Sequence, residues 1–355
     1  MAENDETAAW TALLADTQSS RTACKALIKQ ICLDGRKGLH DLLQDSSRQD
    51  DLDLSDALSA ALSRSKERLA EERCRLDSLQ NRGIQVLRRD APAYPDSLTG
   101  RLGEDWLPYI LYYQGSLALT TEPAIAVLGS SAPAPEALGV SQELGQSLAA
   151  DDRVLTSHFG PGVSRACVQA TLGASGQAVL ILPLGLDRFD GHERGLGDRV
   201  SSDDLLLISP YAPDRPATQS LALASELLAA ANAETVILID PDYSPDERQW
   251  SQHLAAWGTP CWIWQGSRMP YRDAWLNLGG QPFSKVDEIT QIEGHLSPAP
   301  SPSSEDLSAE PAIHPDEPFA SADEALDALG SGGAVPDILA RRIRRQFDQA
   351  DSNEH

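Results

Sequence analysis

The chain has 355 residues, of which 41% are hydrophobic and few aromatic, enough for a main domain with a large aliphatic core and one or two smaller units. Its formal net charge of −24 argues against general affinity for polyanions, because phosphate contacts supply most non-specific nucleic-acid binding and require a basic face. No apolar run approaches the roughly 20 residues of a membrane span, the acidic start is unlike a signal peptide, and five scattered cysteines without CxxC fit free thiols rather than zinc ligands. A cytoplasmic protein without a membrane anchor is expected.

Residues 5–82 read as helices. Trp10, Leu13 and Leu14 make one short apolar face, Leu27, Ile28 and Ile31 a second, and Leu39, Leu42 and Leu43 a third. A longer helix carries Leu58, Leu62, Leu69, Leu76 and Leu79 at three-, four- and seven-residue spacings, and Gly83 is its natural stop. From 84 to 290 apolar strand-like runs alternate with helical patterns. Strands are expected around 84–87, 110–112, 125–128, 154–155, 178–182, 205–208, 235–239 and 261–264. Helices are expected through Val140, Leu144 and Leu148, and over 166–172, 221–231 and 250–257. Continuous apolar strands separated by helices predict a parallel sheet covered on both faces. Residues 291–320 are acidic and rich in Pro and Ser, the composition of a disordered linker. In the tail, 321–355, a capping box at Ser321–Glu324 opens a short helix. A second helix after Pro336 carries the stripe Leu339, Ile343 and Phe347 with Arg342 beside it, a candidate partner-docking face.

Three segments in order carry the most information: Tyr94-Pro95-Asp96-Ser97-Leu98, then 107–115 (LPYILYYQG), then 124–131 (AIAVLGSS). A strand that stops at Gly129-Ser130-Ser131 and leads toward a helix is how a Rossmann-like sheet offers backbone N–H groups to a phosphate. The ordered triplet resembles the DNA-processing protein A (Smf) family, which carries YP..L, P..LY..G and IA(I/V)VGSR in these places. The resemblance implies an α/β fold with a Rossmann-like parallel sheet flanked by helices, an N-terminal helical domain over 1–82, the sheet domain over 83–290 and a flexible C-terminal tail. That tail is too short for the winged-helix module of many family members.

Followed residue by residue, the resemblance weakens at the loops. On the family's SGxAxGIDxxAHxxAL loop, Ser157, Gly162 and Leu172 stand, while its second-position Gly is His158, its Asp is Ser164 and its His is Val168. Leu184-Gly185-Leu186-Asp187 matches GxGLD without the leading Gly, and the SE pair becomes Ser209-Pro210. The family's Arg-Asn-Arg falls on Ser225-Glu226-Leu227, its Ser-Gly-Ser loop on Pro245-Asp246-Glu247, and the Arg after Gly-Ser is Ser131. Residues 122–288 hold 10 Lys and Arg against 21 Asp and Glu, a net of −11. Lost cations and added anions at a low-dielectric rim each disfavour phosphate.

The candidate ligand- or phosphate-binding residues are therefore Gly129, Ser130, Ser131, Ser157, Gly160, Gly162 and Gly185, each with an ordinary turn as its competing reading. His158 lies beside Ser157, but no acid is placed to complete a triad. Asp240-Pro241-Asp242 ends a strand as metal pairs do, although solvated loop carboxylates are several times commoner. His192-Glu193 reads as a solvated pair, and the tryptophans at 250, 257, 262, 264 and 275 as core or interface residues. No catalytic residue, cofactor or metal is expected.

Three functions follow, in order. The first is a non-enzymatic binding protein working through a protein partner in DNA metabolism or phage defence, with a cognate toxin among the candidates, because degenerate relatives of the family pair with phosphoribosyltransferase-type toxins as antitoxins. The second is the family's own role, a mediator that binds single-stranded DNA. The third is a nucleotide-binding or nucleoside-monophosphate-processing protein. Weak binding of single-stranded DNA or nucleotide and an oligomeric state are compatible with the first.

Overall fold

The computed structural model describes residues 2–293, apart from 17, 46–48, 50–51, 53, 105, 192–194, 197–198, 200–202 and 267–269. Of the expected 291–320 linker, residues 291–293 end a helix and the rest lies outside the described residues, as do the tail stripe at Leu339, Arg342, Ile343 and Phe347, and His192-Glu193.

The N-terminal helices are α1 (Ala2–Leu14), α2 (Arg21–Ile28) continuing into a π-helical turn (Lys29–Asp34), α3 (Leu39–Gln44) and α4 (Asp56–Asn81). Their ends are set by side chains. Ser20 accepts from Ala23 N and Ser55 from Leu58 N, each answering an N–H that the first turn leaves unpaired. The Glu6 carboxylate accepts Leu39 N at 2.7 Å, His40 N at 2.9 Å and the Trp10 indole N–H at 2.9 Å, so α1 caps α3 across the bundle. Asp16 takes a two-pronged contact from Arg64 at 2.9 and 2.7 Å, tying the end of α1 to α4. Gly83, at φ +80°, ends α4 with Ile84 N bonded back to Leu79 O.

The sheet follows: β1 (Gln85–Arg88), α5 (Asp96–Arg101), β2 (Ile110–Gly115), β3 (Ala124–Gly129), α6 (Pro135–Ala150), β4 (Val154–Ser157), α7 (Val163–Gly173), β5 (Gln177–Ile181), β6 (Leu205–Ser209), α8 (Gln219–Ala231), β7 (Thr235–Ile239), α9 (Gln249–Trp257), β8 (Cys261–Trp264), α10 (Arg272–Asn277), β9 (Gln281–Phe283) and α11 (Val286–Glu293). Spatial order is β1-β2-β6-β5-β4-β3-β7-β8-β9. All pairs from β6 to β9 are parallel, whereas β1 and β2 form an antiparallel edge on β6. The six strands expected between 122 and 266 are all present and parallel. Two features exceed the expectation: the edge pair β1–β2 runs antiparallel, and β9 adds a strand too short and polar to stand out in the sequence.

Burial on both faces is the physical reason for the unbroken apolar runs. Along β3, Ile125 and Val127 enter the core shared with α6, α7 and the N-terminal helices, while Ala126 and Leu128 enter the core under α8 and α9. The five late tryptophans are buried, with Trp250 and Trp275 stacked at 5.0 Å. They are core residues.

Chain order also fixes where a ligand should be sought. The chain runs from β3 outward through β4, β5 and β6, then crosses to the other side of β3 as β7. The direction of winding reverses between β3 and β7, and in open α/β sheets the crevice outside the strand ends at such a switch is the usual ligand site.

Candidate functional site

The switch-point crevice is built from the turn after β3 and the turn after β7, which lie side by side in register, Gly129 opposite Ile239. A Cβ at Gly129 would collide with the Ile239 carbonyl, so this glycine serves strand packing. Ser130 is fully buried; its N–H bonds to Ile239 O at 3.4 Å and its carbonyl accepts Val163 N at 3.1 Å, the first residue of α7. Gly162, at φ +75°, lets that loop approach, since a Cβ there would collide with the Ser130 carbonyl. Only Ser131 of the three turn residues is exposed.

The Ser130, Ala132 and Ala134 N–H groups of this turn are answered from within the chain. The Ser130 hydroxyl accepts Ala132 N at 3.0 Å and donates to Asp242 Oδ2 at 2.9 Å. Helix α6 starts at Ala134-Pro135, an alanine without a capping side chain followed by a residue without an N–H. Its cap comes from across the crevice: Asp240 Oδ2 accepts Ala134 N at 3.1 Å. Asp240 is 1% exposed and sits at φ +51°, a left-handed conformation that Asp tolerates better than most residues. A helix N-terminus favours an anion through its free N–H groups and dipole, and here a buried carboxylate of the chain holds that position. The expectation of solvated carboxylates is thus corrected for Asp240, whose role is a cap supplied from another loop.

The second cluster lies at the end of β4. Ser157 is buried and its hydroxyl accepts Phe159 N at 3.1 Å, stabilising a turn in which Phe159 takes φ +53°. The His158 ring lies against Gly160, where any Cβ would collide with it. His158 Nε2 stands 3.7 Å from Glu226 Oε1, and Arg248 Nε stands 2.8 Å from Glu226 Oε2. The Arg248 guanidinium also covers the Tyr243 ring at 3.5 Å from its centroid. Burial pulls the His158 pKa below the usual imidazole range; Glu226 opposes that shift and Arg248 adds to it. The imidazole is accordingly neutral, and Glu226 and Arg248 form the charged pair. An acid does lie beside His158, contrary to the sequence expectation, and it comes from α8, about 70 residues away in a segment with no spacing relation to the loop. The Ser157 hydroxyl is occupied by its own turn, so the pieces do not form a nucleophile–base–acid line.

Glu226 stands where the resemblance sets the middle of Arg-Asn-Arg. Its flanking residues Ser225 and Leu227 are buried on α8, so neither position faces solvent. At the third loop, Gly185 N bonds to Arg215 O at 2.8 Å, a Cβ on Gly185 would strike the Ala212 carbonyl, and Ser209 Oγ donates to Leu184 O at 2.7 Å. In the 245–247 turn, Glu247 caps Ser244 N at 2.8 Å. Among the described residues, no three His, Cys, Asp or Glu side chains gather as a metal site would require. No described helix is long and apolar enough to cross a membrane.

Beyond β6 the same edge opens into a cavity of about 140 Å3 roofed by α1, α2 and α4, with Arg21, Lys25, Arg75 and Trp106 in its wall. Sequence reasoning missed it, because its walls come from four separate stretches of chain.

Residues 85–243 match the family model of DNA recombination-mediator protein A. A curated relative, DNA processing protein DprA of Streptococcus pneumoniae, is 31% identical over 107 residues, covering 30% of this chain and 37% of that protein. Its X-ray structure superposes with a TM-score of 0.52 at 18% identity, over 70% of this chain and 90% of that one. DNA processing protein A of Helicobacter pylori, known for a unique single-stranded DNA binding mode, gives 0.50 at 19% identity over 60% and 97%. At these identities the structural likeness speaks for the fold. In its sheet and in the motifs that lead into it, the chain resembles the DNA processing protein A family.

Proposed function

We propose that this chain is a non-enzymatic binding protein of the DNA-processing lineage, acting in the cytoplasm through a protein partner in DNA metabolism or phage defence, in an antitoxin-like role. It binds single-stranded DNA weakly. The observation that supports this reading is the Asp240 carboxylate on the Ala134 N–H: the helix N-terminus best placed for a phosphate carries an anion of the chain itself. Glu226 acts in the same direction by engaging Arg248, a cation of the same sheet edge. Under this reading Gly129, Ser130, Ser157, Gly160, Gly162 and Gly185 maintain loop geometry, and Ser131 is an exposed rim residue. The division into 1–82, 83–290, a linker at 291–320 and a docking tail carrying Leu339, Arg342, Ile343 and Phe347 belongs to the same proposal.

The second reading, a single-stranded DNA-binding mediator, is favoured by the family match over residues 85–243. Fluorescence anisotropy of a labelled oligonucleotide across a salt series separates the two. The partner-binding reading expects poor affinity at physiological salt and a shallow dependence on salt, since few phosphates are neutralised. Tight, steeply salt-dependent binding would favour the mediator.

A further inference from the structure

We propose that the free edge of β1 is a docking site for a partner protein, which lays an extended, uncharged segment against it as a further strand of the sheet. The proposal deepens the partner-binding reading, rests on it for its role, and uses none of the loops at β3, β4 or β7.

Register shows which main-chain groups of this edge are open. Arg89 N bonds to Tyr109 O at 3.0 Å, and two and four residues back Leu87 lies opposite Leu111 and Gln85 opposite Tyr113. Bonded and non-bonded pairs alternate along an antiparallel ladder, so Leu87 and Gln85 bond to β2 while Val86 and Arg88 turn their N–H and C=O groups outward. The Arg88 carbonyl accepts Ala91 N at 3.1 Å. The Val86 N–H and C=O bond to no described residue. The opposite edge of the sheet differs. On β9, Phe283 O accepts Gln265 N at 2.8 Å, which turns Pro282, a residue without an N–H, outward. A proline in that place blunts an edge against strand addition, and β1 carries none.

The open Val86 groups lie in a groove of about 400 Å3 that follows β1 from Gln85 to Arg88. A volume of this order belongs to binding sites rather than to packing voids. The groove has walls on both faces of the sheet. Leu76 of α4, in the core beneath the helices, stands on one side, and Ala91 and Leu117, packed against the opposite core, stand on the other. A second copy of the chain would bring its own β1 with α1 and α4 beside it, and the helices of the two copies would collide. A lone extended segment has no such flanks.

The lining selects the chemistry of that segment. Among the described lining residues Arg88 alone is charged, and its guanidinium is held by Asp90 at 2.8 and 3.2 Å and by Thr7 Oγ1 at 3.0 Å. The amides of Asn4, Gln80 and Gln85 supply neutral polar groups. A charged segment would lose hydration against these walls without meeting a counter-charge, so an uncharged sequence with apolar residues at alternate positions is favoured. In this mode of recognition main-chain bonds give affinity and the recesses beside the strand give specificity.

Fluorescence anisotropy of the full chain with a labelled, end-blocked Thr-Val repeat tests the assignment, at about 0.5 M salt to screen general attraction and repulsion. The neutral repeat should bind with a dissociation constant below about 0.5 mM. Of two forms N-methylated at every second residue, on Thr or on Val, one should bind at least about tenfold more weakly, because it lacks the donors that face β1. Glu-Val and Lys-Val repeats should both bind more weakly than the neutral one. Val86→Pro removes the outward N–H and leaves the bonds to β2, so it should weaken binding at least about tenfold while the unfolding midpoint is kept. Should that variant fail to fold, hydrogen exchange of the wild type decides, since a saturating probe should slow the Val86 amide at least about tenfold. No binding up to about 5 mM, equal binding of both N-methylated forms, tighter binding of a charged repeat, or unchanged binding in a folded Val86→Pro chain overturns the proposal. So does a dimer that Val86→Pro dissociates, which gives the groove to a second copy, or a Val86 amide already protected in the free monomer, which gives it to the chain's own tail. Weak oligonucleotide binding without peptide binding removes the groove alone, whereas tight, steeply salt-dependent oligonucleotide binding removes the partner-binding reading and with it the groove's role.

Discussion

Two regions on one edge of the sheet differ in what answers their polar groups. At the switch point between β3 and β7, a buried carboxylate caps a helix and a serine hydroxyl bridges a turn amide to a second carboxylate. Past β6, under the N-terminal helices, the Trp106 indole N–H has no hydrogen-bond partner and lines a cavity. The first region has the sequence appearance of a ligand site and the packing of a structural joint. The second has no motif and the geometry of a recess. Topology marks a crevice, but the residues facing it decide whether anything can enter.

If the switch point is a joint, it should tolerate little. The largest effect is expected at Gly129→Ala, whose Cβ meets the Ile239 main chain in the middle of the sheet. Loss of about 4 kcal/mol or failure to fold is expected in urea titrations, against a change of less than about 1.5 kcal/mol for Ala15→Phe at the cavity. Equal costs at the two places would break the comparison.

Next is Glu226→Gln, which leaves Arg248 largely buried without its counter-charge and should cost about 3 kcal/mol. The double variant Glu226→Gln, Arg248→Met should recover much of that loss, because it removes both charges together. A double variant no better than the single one would mean that the pair matters for shape alone.

Asp240→Ala removes the α6 cap and sets alanine at φ +51°, for an expected loss of about 2 kcal/mol; Asp240→Asn, which keeps an acceptor, should lose less. Equal losses would show that the acceptor is unimportant.

The smallest effect is on pH dependence. Burial lowers the folded-state pKa of His158 below 6.5, with Glu226 resisting and Arg248 assisting. Above about 6.5 neither the folded nor the unfolded chain holds the proton, so the group contributes nothing to the slope there. As pH falls through 6.5 the unfolded chain takes up a proton that the folded one refuses, and stability falls until the lower folded-state value is passed. His158→Gln should flatten this limb in part. His253, also lowered by burial, supplies the remainder. The pairs Arg64–Asp16 and Arg89–Glu104 lower carboxylate pKa values, so their stabilisation is lost as pH falls below the ordinary carboxylate range.

Much of the fold was legible in the sequence because its cause is local and periodic. Strands buried on both faces must be continuous apolar runs, as at 124–129 and 235–239, and Gly83 had to follow the last leucine of a long helix. The antiparallel edge of β1 and β2 was not legible, because a four-residue strand such as Gln85–Arg88, with only Leu87 buried, does not state which way it pairs. The site was legible only in outline. The sequence reading placed glycines and serines at strand ends but not Asp240 against Ala134, 106 residues away, nor Glu226 against His158. Those contacts depend on how β7 and α8 return beside β3 and β4, and no short-range pattern encodes that return.

The central claim is that the chain's own carboxylates hold the position a phosphate would take. Its most direct test is the oligonucleotide titration repeated with Ser131→Arg, Asp240→Asn and Asp242→Asn combined, at several salt concentrations. The account predicts that the wild type binds weakly with a shallow slope, and that the variant, if folded, binds at least about tenfold more tightly with a slope steeper by about one to two. A wild type that already binds tightly and steeply, or a folded variant that binds no better, would contradict it.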